Sequence, residues 1–195
     1  MPPVPPLPVV LVLASGRGER FVASGGAGSK LQALLAGKPV LQWTLDAVRA
    51  SGLPFHVEDA GHPGMGDSIA AAVRATRGAP GWLVLPGDLP LVKPATLRQV
   101  AQALAEGAEV VVPSYRGERG HPVGFSAACG EALVALTGPK GAAAVVKAHR
   151  VTELPVQDEG VQVDIDTVDA LADAERRLRA GAAEDGSTGS PSPRG

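Results

Sequence analysis

Residues 9–20 read Val9-Val10-Leu11-Val12-Leu13-Ala14-Ser15-Gly16-Arg17-Gly18-Glu19-Arg20. The first five form an unbroken apolar run, which is typical of a strand buried on both faces of a sheet. The small residues that follow let the backbone approach a phosphate chain, and successive N–H groups there can form an anion-binding nest. This stretch therefore predicts a buried strand that leads into a phosphate-binding loop.

A second glycine-rich stretch occupies residues 24–29 and ends at Lys30. Arg20 and Lys30 supply the positive charge that a triphosphate or a departing pyrophosphate needs. Two common phosphate motifs do not fit, because the dinucleotide fingerprint requires glycine at Phe21 and the Walker loop requires Ser or Thr at Leu31. The alternative interpretation is a flexible surface loop with incidental charges.

The rest of the chain alternates between strand and helix patterns. Strands are predicted at 9–13, 55–58, 82–85, 110–112, 123–125, 151–156 and 161–165, and helices at 41–51, 68–77, 94–104, 128–136, 141–149 and 167–179. This alternation predicts an α/β, three-layer, Rossmann-like fold with a mostly parallel mixed sheet and helices on both faces. Ligands of such sheets bind beyond the carboxyl ends of the strands.

Length and composition limit the classes of protein that remain. With 195 residues we expect one domain at 7–180, a proline-rich extension at 1–6 and a disordered tail at 181–195. A net charge of −2 argues against a nucleic-acid partner, and no apolar run reaches the ~18 residues of a membrane helix. The single cysteine, Cys129, excludes an internal disulfide. We expect a cytoplasmic protein with no membrane partner.

Acidic residues follow two of the predicted strands. Asp88 comes directly after the strand at 82–85, where a magnesium-bound triphosphate would find a carboxylate ligand. Asp164 and Asp166 alternate along the strand at 161–165 and should face the same way. Two such carboxylates repel unless a cation lies between them or one is protonated. We expect Mg²⁺ at Asp88 with Asp164 or Asp166, although each could instead be a turn or cap residue.

Two further segments carry candidate binding residues. The stretch at 64–68, Gly-Met-Gly-Asp-Ser, precedes a helix whose positive N-terminus would face a ligand, although Ser68 could simply cap that helix. Arg119 and His121 could hold an acidic acceptor such as a phosphate, the alternative being a hairpin with a packed histidine. Structural or solvated positions are expected for His56, His62, His149 and Cys129.

These segments together resemble one family. Residues 13–21 and Lys30-Leu31 are similar to the L-A-x-G-x-G-x-R…K-L signature of MobA-like nucleotidyltransferases, and especially of molybdenum cofactor cytidylyltransferases. The segments at 64–68, 87–90, 119–123 and 164–167 resemble further motifs of that family in the same order. The resemblance implies a nucleotidyltransferase fold and the transfer of a nucleoside monophosphate from an NTP with release of pyrophosphate.

The resemblance also implies residue roles. Catalysis is assigned to Arg20, Lys30 and Asp88; nucleotide binding to Leu13, Ala14, Ser15, Gly16, Gly18, Arg20, Lys30, Gly64, Met65, Gly66, Ser68 and Asp88; acceptor binding to Arg119 and His121; and Mg²⁺ to Asp88, Asp164 and Asp166. The segment Ala14-Ser15-Gly16 favours CTP, because it is closer to the A-A-G of the cytidylyl branch than to A-G-G. The implied acceptor is molybdopterin, with a molybdoenzyme apoprotein or chaperone as partner.

Alternatives remain at this stage. The acceptor could be a sugar phosphate or another small phosphate, or the chain could be a non-catalytic nucleotide-binding protein that delivers a cofactor. The chain departs from the family pattern by a short 52–64 region, a longer loop at 24–29, Val168 in place of proline and a Gly138–Gly141 turn where relatives often carry an aspartate.

Overall fold

The computed structural model describes residues 6–16 and 18–185, with side chains as far as residue 181. The strands are β1 Val9–Leu13, β2 Leu34–Leu35, β3 Lys38–Pro39, β4 Phe55–Glu58, β5 Gly81–Pro86, β6 Val110–Tyr115, β7 Glu118–Arg119, β8 Val123–Ser126 and β9 Val151–Pro155. The helices are α1 Glu19–Ala23, α2 Val40–Ser51, α3 Met65–Ala75, α4 Pro94–Ala105, α5 Gly130–Val134, α6 Ala143–Ala148 and α7 Val168–Asp185. None of the described helices combines the length and apolarity needed to cross a bilayer.

The main sheet has seven strands in the order β4-β1-β5-β8-β6-β7, and β9 also pairs with β6. β1 lies parallel to both β4 and β5, and β9 lies parallel to β6. β8 is antiparallel to β5 and β6, and β7 is antiparallel to β6. Most strands therefore run in one direction, which confirms the predicted mixed, mostly parallel sheet.

Alternate side chains of β1 pack into two different cores. Val10 and Val12 contact the layer formed by α2 and α4, whereas Leu11 and Leu13 contact the layer formed by α3, α5 and α6. A strand covered by helices on both faces must be apolar at every position, which explains the unbroken run at 9–13. The three-layer architecture is confirmed.

The predicted strand at 161–165 is wrong. A 3-10 turn at Glu159–Val161 is followed by irregular chain that pairs with none of the strands in residues 6–16 and 18–185. Its backbone bonds go to separate loops instead: the carbonyl of Val161 accepts from His121 N at 2.8 Å, and Ile165 N donates to the carbonyl of Asp88 at 3.0 Å. A β ladder cannot form because these partners belong to two different loops.

Several element boundaries also differ from the prediction. α3 begins at Met65 rather than at Ser68, and the short elements α1, β2, β3 and β7 were not predicted. α7 continues to Asp185, so residues 181–185, which were assigned to a disordered tail, are helical. The remainder of the expected flanking segments, residues 1–5 and 186–195, lies outside the described residues.

Candidate active site

The ends of β1 and β5 form the floor of the site. Leu13 pairs with Pro86, and the next residue, Gly87, donates its N–H to the Leu13 carbonyl at 2.9 Å. The buried Thr44 hydroxyl donates to the Gly87 carbonyl, also at 2.9 Å. A Cβ on Gly87 would lie 3.0 Å from the Leu13 carbonyl oxygen. The backbone is therefore fixed where Asp88 leaves the sheet.

Three carboxylates meet beyond this floor. Asp88, Asp164 and Asp166 each offer an oxygen within 4.8 Å of the others, and we call them the acidic cluster. The bond from Ile165 N to the Asp88 carbonyl, together with the full burial of Ile165, ties the two segments together. Burial and the adjacent charge of Asp166 raise the pKa of Asp164.

Lys30 neutralises the acidic cluster. Its ammonium lies 2.5 Å from Asp88 Oδ2 and 2.6 Å from Asp166 Oδ1, and the Lys30 side chain is only 12% exposed. Burial opposes the charge on Lys30, but Asp88 and Asp166 outweigh it and raise the pKa of Lys30. Burial likewise opposes the charge on Asp166, but Lys30 and Arg20, the latter at 2.7 Å, lower the pKa of that carboxyl.

The acidic cluster has the chemistry of a divalent-cation site. Among the described residues, Oδ1 of Asp88 is buried without a hydrogen-bond partner. An unpartnered buried carboxylate oxygen is costly unless a cation or donor satisfies it. Hard cations such as Mg²⁺ prefer carboxylate oxygens, so the residues present fit such an ion.

Two adjoining cavities open at this edge of the sheet. The main cavity, of about 200 Å³, is lined by Leu13, Ser15, Gly16, Lys30, Leu31, His62, Pro63, Gly64, Met65, Ser68, Pro86 and Asp88. The side cavity, of about 250 Å³, is lined by Gly16, Gly18, Glu19, Arg20, Phe21, Lys30 and Asp166. Gly16 and Lys30 belong to both walls, so Lys30 lies at the junction of the two cavities.

Most of the predicted nucleotide-binding residues line one of these cavities, but two do not. Ala14 donates its N–H to the Glu58 carbonyl at 2.8 Å, and Gly66 donates to the Gly138 carbonyl at 2.8 Å. Both residues therefore bond to neighbouring segments of the chain and do not line either cavity.

Ser68 does not cap α3. Its hydroxyl lies 2.9 Å from the Ser15 hydroxyl and also donates to the Gly64 carbonyl at 3.2 Å. The bond to Ser15 joins the first turn of α3 to the loop after β1, so these two predicted nucleotide-binding residues are in direct contact.

The two predicted acceptor-binding residues, Arg119 and His121, have different surroundings. His121 is half-buried, and burial lowers the pKa of its imidazole despite the opposing charge of Asp88. The exposed guanidinium of Arg119 lies 3.5 Å from the Glu153 carboxylate on β9. The charge that acts on His121 therefore comes from a member of the acidic cluster, whereas the ion pair of Arg119 is with Glu153.

Sequence reasoning missed Glu58 and His62. The His62 ring lines the main cavity and bonds through Nε2 to Oε1 of the buried Glu58 at 3.0 Å. The signal that pointed to Asp88, an acidic residue at the carboxyl end of a strand, is also present at Glu58, which is the last residue of β4. Thr44 carries no comparable signal, since its role depends on a contact with a distant backbone carbonyl.

Comparison with known proteins identifies the family of this chain. Residues 46–153, more than half of the chain, match the family described as the MobA-like NTP transferase domain. The chain belongs to that family. It is thus a nucleotidyltransferase by family membership, in agreement with the prediction from its motifs.

Two solved structures illustrate the similarity of this MobA-like chain to other proteins. Rv0371c from Mycobacterium tuberculosis H37Rv is 27% identical, with a TM-score of 0.74 over 89% of this chain and 99% of that chain. The molybdopterin-guanine dinucleotide biosynthesis protein A from Archaeoglobus fulgidus is 21% identical, with a TM-score of 0.66 over 88% of this chain and 99% of that one. The latter likeness supports the fold alone.

A curated relative matches only in part. The bifunctional protein GlmU from Geobacter metallireducens is 31% identical over 140 residues, which is 59% of this chain. The match spans only 28% of the length of that relative.

Proposed function

We propose that this chain transfers a nucleoside monophosphate, CMP from CTP, to a small phosphate-bearing acceptor and releases pyrophosphate. The observation that carries the proposal is the position of Lys30, which contacts Asp88 and Asp166 where the two cavities meet. Membership of the MobA-like family supports the reaction class. A nucleotide that spans both cavities would bring its phosphates to the basic and acidic groups together.

The reaction needs no covalent enzyme intermediate. An oxygen of the acceptor phosphate attacks the α-phosphorus of the NTP, the bond from that phosphorus to the bridging oxygen breaks, and pyrophosphate leaves with the electron pair. Arg20 and Lys30 stabilise the negative charge on the transferring and leaving phosphates. The backbone of Gly16 and Gly18, close to Lys30, leaves room for the phosphate chain. The protein therefore acts by positioning and electrostatics.

Asp88, Asp164 and Asp166 would hold the divalent cation, which we propose to be Mg²⁺. Such an ion, when bound, polarises phosphate oxygens and neutralises their charge. A structure of Rv0371c from Mycobacterium tuberculosis, 26% identical to this chain, is a complex with manganese. The choice of Mg²⁺ rests on the affinity of hard cations for carboxylates and phosphates.

The choice of substrates rests on the loop after β1 and on the motifs that resemble the family. Ala14-Ser15-Gly16 favours CTP, and we propose molybdopterin as acceptor, since the motifs at 13–21 and 164–167 resemble those of molybdenum cofactor cytidylyltransferases. A sugar phosphate is the alternative acceptor. His121, near Asp88, would contact the acceptor. A molybdoenzyme apoprotein or its chaperone would take the product, in the cytoplasm where NTPs are made.

A thermal-shift panel tests the nucleotide first. CTP, GTP, ATP and UTP are each added with and without Mg²⁺ or Mn²⁺. A ligand at ~100 times its dissociation constant stabilises by about 2.7 kcal/mol, which is a shift of several degrees for a domain of this size. We expect a metal-dependent shift with CTP. No shift with any nucleotide would contradict the proposal.

Pyrophosphate release then separates an enzyme from a delivery protein. With candidate acceptors present, the wild-type chain should release pyrophosphate from CTP, with molybdopterin as the preferred acceptor. Asp88→Ala should lower this rate by about 100-fold or more. Full turnover in this variant would show that Asp88 is not part of the metal site.

A further inference from the structure

The two cavities differ in their number of cationic side chains. The side cavity is lined by Arg20 and Lys30 together with Glu19 and Asp166, whereas Lys30 is paired only with Asp88 in the main cavity, whose other lining residues are apolar or polar apart from the His62 ring. The phosphates of a bound NTP would lie beside the two cations of the side cavity. Its nucleobase would then lie in the main cavity. The polar side chains available to a base there are the Ser15 and Ser68 hydroxyls, which bond to each other, and the His62 ring.

Glu58 fixes the His62 ring. The carboxylate of Glu58 is 9% exposed and accepts from His62 Nε2 at 3.0 Å, from Ala60 N at 3.2 Å and from His56 Nε2 at 3.3 Å. Burial opposes the charge on Glu58, but these three donors outweigh it and lower the pKa of the carboxyl. The backbone of Glu58 is held as well, because its carbonyl accepts from Ala14 N.

The bond to Glu58 determines what His62 can offer to a ligand. A carboxylate only accepts, so the hydrogen of this bond is on Nε2 of His62. In a neutral imidazole the other nitrogen, Nδ1, is then an acceptor. Within residues 6–16 and 18–181, no hydrogen bond to another residue occupies Nδ1. When its ring is neutral, His62 therefore offers one acceptor, Nδ1, and the residue lies in the wall of the main cavity.

We propose that His62 is a specificity-determining residue that accepts a hydrogen bond from the exocyclic amino group of cytosine, and that Glu58 is its positioning residue. The inference rests on the proposed function and deepens it. Cytosine presents an amino donor at the position where uracil presents a carbonyl acceptor. Uracil would place its carbonyl oxygen against the Nδ1 lone pair, so CTP is selected over UTP.

The test is calorimetric titration with CTP and with UTP in the presence of Mg²⁺. The wild-type chain should bind CTP about tenfold more tightly than UTP. Both His62→Ala and His62→Phe should bring this ratio close to one, the second variant keeping a ring in place. Glu58→Gln should lower the ratio as well, because a glutamine amide no longer requires the hydrogen on Nε2.

His56→Ala is the matched control. His56 bonds to the same carboxylate but does not line the main cavity, so its loss should lower stability while the CTP:UTP ratio stays near the wild-type value. A wild-type chain that binds CTP without preferring it over UTP, or a His62→Phe variant that keeps the preference, would overturn the inference alone. Absence of binding by every nucleotide would overturn both the inference and the proposed function.

A second measurement does not depend on the folding of any variant. A CTP analogue that lacks the 4-amino group is titrated into the wild-type chain. If His62 accepts a hydrogen bond from the amino group, the analogue should bind to the wild-type chain about tenfold more weakly than CTP does. Equal binding of the two nucleotides would overturn the inference.

Discussion

Lys30 acts first as a counter-ion in this structure. The sequence suggested a phosphate-binding lysine, but its ammonium bonds to Asp88 and Asp166 in a partly buried position. Three carboxylates within 4.8 Å repel one another strongly when they are shielded from water, and a cation among them reduces this repulsion. A divalent ion at the proposed site would share carboxylates with Lys30, so binding of the ion should weaken the ion pairs of Lys30.

Substitution of Lys30 tests this competition. Lys30→Ala should lower nucleotidyl transfer by about 100-fold or more, because the phosphates lose a cation. In the absence of nucleotide, the same variant should bind Mn²⁺ more tightly than the wild-type chain, since the acidic cluster has lost its counter-ion. Calorimetric titration with Mn²⁺ measures the second effect.

Lys38→Ala is the control for this prediction. Lys38 bonds to Asp46 at 2.9 Å and lines neither cavity, so this variant should keep wild-type Mn²⁺ binding and activity. Weaker or unchanged Mn²⁺ binding by Lys30→Ala would show that the lysine and the metal do not compete.

The low pKa of Glu58 makes part of the stability depend on pH. Because the pKa is lower in the folded state, the stabilisation is fully present above the ordinary value of 4.5 and is lost as the pH falls through the lower folded value. Glu58→Gln should therefore melt well below the wild-type chain at about pH 7, and the gap should narrow at about pH 3.5. Thermal unfolding at several pH values measures this gap.

Asp59→Asn controls for general charge effects at low pH. Asp59 is the exposed neighbour of Glu58, and its substitution should leave the melting temperature nearly unchanged at each pH. A gap for Glu58→Gln that stays constant with pH would mean that the carboxylate charge is not the stabilising feature.

At the scale of elements, the start of α3 depends on a turn far along the chain. A Cβ on Gly64 would lie 2.4 Å from the Gly138 carbonyl, and one on Gly66 would lie 2.8 Å from the Thr137 carbonyl oxygen. Asp67 accepts from Gly138 N at 3.0 Å and fixes the same contact. The two glycines are therefore needed for close packing against the turn, which places Ser68 beside Ser15.

Gly66→Ala should destabilise the chain by about 1–3 kcal/mol, because the added methyl group meets backbone that cannot move freely. Gly181→Ala provides the opposite case, since that position lies in α7 with no atom near the added Cβ. This control should stabilise by about 0.5–1 kcal/mol through helix propensity. Urea unfolding of both variants measures the difference, and equal effects would contradict the packing argument.

At the scale of the whole molecule, the sheet joins two separate cores. Leu11 is fully buried in the layer of α3, α5 and α6, while its neighbours Val10 and Val12 are buried in the other layer. A substitution in β1 thus affects the strand on which both helical layers pack.

Leu11→Ala should destabilise the chain by about 2–5 kcal/mol through lost burial and a residual cavity. Leu34→Ala, at a position 63% exposed, should change stability little. Urea unfolding followed by circular dichroism measures both. A loss for Leu11→Ala no larger than that for Leu34→Ala would contradict the central position of β1.

Local patterns were sufficient for the fold and for much of the candidate site. Three local patterns each depend on a short stretch of backbone and its neighbours. They are the apolar run at 9–13, the small residues after it and the acidic residue after β5. Such stretches encode burial on both faces and the loops that follow the strands. They predicted the three-layer architecture and residues that line the two cavities, including Ser15, Lys30 and Asp88.

Tertiary structure alone decided the contacts between distant residues. Lys30 and Asp166 are 136 positions apart, and only the folded chain shows that their side chains pair. The segment at 161–165 has a strand-like pattern, but its backbone partners lie in two different loops, so no ladder forms. The position of His62 in the cavity wall also depends on Glu58, a buried partner that periodicity does not reveal. Sequence patterns record local geometry and burial, whereas pairings of this kind arise only when separate elements meet.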